Sequence, residues 1–199
     1  GLRGLIKHRS KRILLPLLIF TIILSPIIIG IGMYGGALSA KHRGNETIWA
    51  AAKSGDVEAI NQHLIEGADA SQPDAAGLTP LSWAALLGQS DAAGALIDGG
   101  ADLETTDSDG TTALHCAAFM GEVAVARLLV ENGADVNATS DDGGTPLSAT
   151  EADELTTQFI AGMLQIPVDE KKMASGRAEI AKFLKAKGAL PRQDAAEDP

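Results

Sequence analysis

The sequence predicts an all-α fold: a solenoid of stacked helix pairs joined by short β-turns, preceded by a single transmembrane helix. Three observations carry this. Several positions recur every 33 residues, an uncharged apolar stretch lies near the N-terminus, and charge is divided unevenly along the chain. The first 43 of the 199 residues hold seven of the 16 basic residues and none of the 26 acidic ones. Nine basic residues against 26 acidic ones remain, a balance of −17 for the rest. Such asymmetry points to two parts with different surroundings.

Residues Ile13 to Ile31 carry no charge, and 14 of these 19 are Ile, Leu or Phe. At about 1.5 Å per residue, a helix over 13–34 is roughly 33 Å long, enough for a hydrocarbon core of about 30 Å. Pro16 falls in the first turn, where a missing N–H costs little, and Pro26 predicts a kink. Five basic residues in the flank 1–12 and two in the linker 35–44 predict a cytoplasmic N-terminus and an extracytoplasmic remainder. Tyr34 fits an interfacial anchor. The alternative is a cleaved secretory signal with Ala37-Leu38-Ser39-Ala40 at the cleavage site, which would release a secreted, soluble protein.

The repeat occupies 45–190. Gly77, Gly110 and Gly143 keep a spacing of 33, as do Thr79, Thr112 and Thr145, and Leu81, Leu114 and Leu147. Gly55, Gly88 and Gly121 share that step, and so do Gly67, Gly100 and Gly133. Thr79 and Thr112 can cap the first helix of a copy. Ala84-Ala85 and Ala117-Ala118 allow close helix approach, while Leu96-Ile97 and Leu128-Leu129-Val130 supply the apolar face of the second helix, with Leu128 expected in the core. Gly100 and Gly133 can end the second helix in a left-handed conformation. Asp107-Ser108-Asp109-Gly110 and Asp141-Asp142-Gly143 read as connecting turns.

Thr79-Pro80-Leu81-Ser82-Trp83-Ala84-Ala85 aligns with Thr112-Ala113-Leu114-His115-Cys116-Ala117-Ala118. The pattern and its period resemble the ankyrin repeat. The resemblance implies about four copies, near 45–76, 77–109, 110–142 and 143–190. The first copy, with Glu46-Thr47-Ile48 in place of the Thr-Pro-Leu start, reads as a polar N-terminal cap. The last holds a 22-residue insertion, since Gly133 and Gly188 lie 55 apart instead of 33. Glu151 to Gln165 is expected as a lengthened first helix, Pro167 as a break, and Glu170 to Lys187 as a long final helix. Such an insertion serves either a binding face or a cap over the last apolar surface. Residues 191–199 are expected as a disordered tail.

Chemistry is sparse. The lone Cys116 permits no intrachain disulfide and takes a core position without a basic partner. The resemblance implies that His115 hydrogen-bonds between neighbouring turns. His8, His42 and His63 have no metal spacing, and Asp107-x-Asp109-Gly110 lacks the third acid and closing Glu of a calcium loop. No phosphate-binding glycine loop or nucleophile elbow occurs. Catalytic, cofactor and metal sites are therefore expected to be none, and the acidic balance argues against nucleic acid.

In the resembling repeats, the residues after the double alanine face a concave groove. Here they are Leu86, Leu87, Phe119 and Met120, beside the turn residues Asp109, Asp141 and Asp142. They predict a site for a protein partner bearing apolar and basic side chains, although large residues there could equally serve helix packing. The expected function is a membrane-tethered scaffold or adaptor, with membrane contact through 13–34. A start at Gly1 rather than Met also leaves room for a regulatory domain of a larger membrane enzyme or channel.

Overall fold

The chain divides into two units, residues 1–46 and 47–199. The computed structural model describes residues 47–166 and 168–192, all within the second unit. The predicted transmembrane helix 13–34 with its flank and linker, the break at Pro167 and residues 193–199 lie outside the described residues. Among the described residues no helix is long and apolar enough to cross a membrane, and there are no strands.

Nine helices are described: α1 (Ile48–Ser54), α2 (Val57–Ile65), α3 (Pro80–Leu86), α4 (Ser90–Asp98), α5 (Ala113–Met120), α6 (Val123–Glu131), α7 (Pro146–Ala149), α8 (Glu154–Leu164) and α9 (Glu170–Ala186). The first helix of each pair starts for a local reason. Thr79 Oγ1 accepts from the Ser82 amide at 3.0 Å, and Pro80 follows in the first turn, where no amide is needed. Thr145 and Pro146 repeat the arrangement at α7. Gly121 closes α5 at φ 75°, a left-handed conformation costly for other residues.

Helices α1, α3, α5 and α7 pack in one row, and α2, α4 and α6 in a second. The double alanines explain the close spacing: Ala51, Ala52, Ala84, Ala85, Ala117 and Ala118 are fully buried between helices. Ile60, Leu96 and Leu129 fill the space between the rows. Leu128, expected in the core, is only partly buried; the register points its neighbour Leu129 inward.

The turns are built on acids that also repeat every 33 residues. Asp74 Oδ1 accepts from the Ala76 and Leu78 amides, and Asp107 Oδ1 from those of Asp109 and Thr111. Asp69, Asp102 and Asp135 each accept from the amide two residues on. These carboxylates replace backbone partners that a turn leaves unpaired. Neighbouring turns are joined directly, with the Asp141 amide donating to the Asp109 carbonyl at 3.0 Å.

The insertion differs from expectation. Glu151 to Gln165 is not a lengthened first helix. The first helix stops at Ala149, and α8 begins separately because Asp153 caps it through the Thr156 amide at 2.8 Å. Helix α9 ends at Ala186, one residue short of the expected Lys187. It packs against α5, α6 and α7. Residues 190–192 are also held, contrary to the expectation of a tail free from 191. The Leu190 amide donates to Asn137 Oδ1 at 2.7 Å, and Arg192 reaches Asp142.

Candidate functional site: an acidic and apolar groove

A groove of about 720 Å³ runs along the inner helices and turns of the second to fourth copies. Its lining includes Leu86 of α3, Cys116 and Phe119 of α5, and Ile160, Met163 and Leu164 of α8. Asp107, Asp109, Asp142, Glu151 and Asp153 supply acid along the same walls, with Arg192 as a cation. Of the seven residues singled out from sequence, the groove collects Leu86, Phe119, Asp109 and Asp142. Leu87, Met120 and Asp141 do not line it.

The apolar residues are less available than expected. Leu86 is 4% exposed and Met120 6% exposed, so their side chains belong to helix packing rather than to an open patch. Both end an inner helix, where the neighbouring inner helices close over them. Leu87 and Phe119 are half-buried. Phe119 is the principal aromatic in the groove, and a cation backs its ring: the Arg177 guanidinium lies 5.0 Å from the ring centre.

Arg177 was not singled out by sequence reasoning, and nothing local marks it. It sits in α9, directly after Gly176, and is 8% exposed. Its Nε donates to the Phe119 carbonyl at 2.6 Å, its Nη1 to the Ala152 carbonyl at 2.9 Å and its Nη2 to Thr157 Oγ1 at 2.9 Å. One side chain thus joins the end of α5, the loop before α8 and α8 itself. Burial pulls its pKa below the ordinary value. The carbonyls at the C-terminal end of α5 offset part of the cost of burying the cation.

The acids are held ionised. The Ser140 hydroxyl, then the Gly144 amide, keep Asp142 below the usual carboxylate range, with a smaller contribution from Arg192. The Thr156 hydroxyl and amide do the same for Asp153. Asp142 already has a partner: Arg192 Nη2 lies 3.1 Å from its carboxylate and 2.8 Å from its carbonyl.

His115 and Cys116 also border the groove, but neither is arranged for catalysis. Thr112 donates its amide to His115 Nδ1 at 3.3 Å, and the opposite ring nitrogen, Nε2, lies 3.3 Å from the Gly144 carbonyl. The ring is therefore neutral with its proton on Nε2, and it ties the third copy to the turn of the fourth. Burial lowers its pKa. Burial also pushes the Cys116 thiol up to about 12, the opposite of what a thiolate nucleophile needs. Among the described residues no cluster of His, Cys, Asp or Glu could hold a metal ion.

No curated protein matches the chain. A family model described as ankyrin repeats, three copies, matches residues 48–140, which span α1 to α6 and the turns between them. The 33-residue register, the stacked helix pairs and this match agree: residues 48–140 form three ankyrin repeats.

Proposed function

We propose that the chain is a membrane-tethered protein-interaction module that docks a partner in the groove over its second to fourth copies. Ankyrin repeats imply a protein partner. The observation that carries the finer reading is the lining itself. Phe119, Ile160, Met163 and Leu164 lie beside Asp107, Asp109, Glu151 and Asp153. That pairing suits a partner with apolar and basic side chains. The apolar groups would supply affinity, and the exposed acids would mainly speed encounter. Residues 143–190 act in this reading as a modified fourth copy whose inserted helix walls the groove.

The tether rests on sequence. Residues 13–34 are long and apolar enough to span, and the basic flank orients them with the N-terminus in the cytoplasm. The repeats then lie on the extracytoplasmic side. A reporter active only outside the cytoplasm, fused to Pro199, should be active in a membrane fraction. A silent reporter on a well-expressed fusion would overturn the orientation. Recovery of soluble protein beginning near Lys41 would replace the tether with a cleaved signal.

Proximity labelling with the anchored chain identifies the partner. Phe119→Ser should weaken its binding at any ionic strength. Asp109→Asn with Asp153→Asn should lower the association rate, most visibly at low salt. Unaltered binding by Phe119→Ser, with the circular dichroism spectrum unchanged, would rule out the groove.

A further inference from the structure

The outward face of α8 lies apart from the aromatic and acidic heart of the groove. Leu155 is 80% exposed, Phe159 71% and Met163 66%. They stand four residues apart on an 11-residue helix, so they form one stripe about 12 Å long. Thr157 and Ala161 are the positions of α8 that turn inward. Leu155 and Phe159 do not line the groove, and only Met163 borders both surfaces.

This stripe is the largest concentration of exposed apolar side chains among the described residues, and its setting is neutral. No charged residue occurs from Leu155 to Val168. Beside the stripe, a Cβ added at Gly162 would meet nothing within 4 Å, so the helix surface is open and low there. Such a notch lets another helix approach closely.

We propose that α8 pairs with α8 of a second copy of this chain, antiparallel about a two-fold axis at Phe159. Three features select this occupant. A charged partner surface would lose water here with nothing to compensate it, so the partner face must be uncharged, as α8 itself is. The stripe is symmetric about its centre: the two-fold sets Phe159 on Phe159, Leu155 on Met163 and Thr156 over the Gly162 notch, which makes the face self-complementary. The rest of the domain is strongly acidic, so two copies can approach closely only through a neutral face. One short helix per copy buries well under the roughly 800 Å² per partner of a durable complex, so the pair is weak and reversible. The proposal does not depend on the groove or its partner.

Crosslinking in the full-length chain tests it. Cys116 is fully buried, with its thiol pushed up to about 12, so an introduced cysteine reacts alone. Phe159→Cys should form covalent dimers under a mild oxidant at least about tenfold faster than Ile65→Cys, because a held contact raises the local thiol concentration. Ile65 is also 80% exposed but lies on α2. A mixture of Leu155→Cys and Met163→Cys chains should crosslink faster than either alone. Rising salt should speed the Phe159→Cys reaction by screening acidic repulsion, whereas it should weaken a basic partner in the groove. Equal rates at positions 159 and 65 would overturn the proposal. So would a polarity-sensitive dye on Phe159→Cys that brightens with phosphatidylcholine vesicles but not with chain concentration, since lipid would then cover the face. Loss of partner binding by Phe119→Ser with 159 crosslinking unchanged would leave both readings standing separately.

Discussion

The Arg177 guanidinium stands 5.0 Å from the centre of the Phe119 ring while its Nε donates to the Phe119 carbonyl at 2.6 Å. The same residue is thus held by backbone and ring at once. Phe119 is the last residue but one of α5, so its carbonyl has no intrahelical donor and lies at the negative end of the helix dipole. A cation placed there is compensated by neutral oxygens. The other two acceptors bring in Ala152 and Thr157, and the inserted helix is docked by this contact as well as by its inward face.

Arg177→Met should therefore lower stability by roughly 2–4 kcal/mol, because three buried acceptors lose their donor while the apolar stem is kept. Arg177→Lys should recover only part, since an ammonium cannot reproduce a planar fork. Urea denaturation measures the loss. Limited proteolysis should show first cleavage moving into 150–169 in Arg177→Met. Cleavage that stays elsewhere would mean that α8 is held by other contacts.

Leu129→Ala should cost about 2–5 kcal/mol, the range for emptying a fully buried leucine site. Leu128→Ala should cost clearly less, because Leu128 is half-buried and its Cδ2 only grazes the surface near Gly94. Comparison of the two urea midpoints checks the order.

That pair also shows how far sequence reaches. The period of 33 located every helix pair of the first three copies, because glycine, threonine and alanine perform backbone tasks at fixed points of each copy. Within the run Leu128-Leu129-Val130 the period cannot say which leucine turns inward; the neighbouring row decides that. Leu86 and Met120 were misjudged as open for the same reason, since closure comes from adjacent copies. The start of α8 was legible, as Asp153-Glu154-Leu155-Thr156 is a capping acid followed by an acidic first turn. Arg177 was not, because its partners lie 20 to 58 residues away in sequence.

His115 should make stability fall with mild acid. Its folded pKa lies below the ordinary value because burial disfavours the charged ring. Protonation would also set a proton on Nδ1 against the Thr112 amide that donates to it. The unfolded chain then binds the proton more readily, so stability is full above the unfolded value near 6.5 and is lost as pH drops below it. Asp142 and Asp153 are depressed carboxylates, so their contribution is lost only below about 4, a separate window. His115→Gln should remove the slope between about pH 7 and 5 and leave the lower one. Parallel slopes for the two proteins would show that His115 does not titrate on unfolding.

Two glycine-to-alanine changes should act in opposite directions. Gly176 lies in α9 where the backbone meets the end of α5, and an added Cβ would overlap the Gly121 carbonyl oxygen. Backbone stands on both sides of that contact, so no side chain can swing aside. Helix α9 would have to move, taking the adjacent Arg177 with it. Gly176→Ala should lose about 1–3 kcal/mol to overpacking, after a helix-propensity gain of at most about 1 kcal/mol. Gly162 is helical too, but a Cβ there meets nothing within 4 Å. Gly162→Ala should gain about 0.5–1 kcal/mol from the reduced freedom of the unfolded chain. Urea midpoints followed by the fluorescence of Trp49 and Trp83 report both changes. If the two variants shift the same way, the close approach of α9 to Gly121 is not what Gly176 serves.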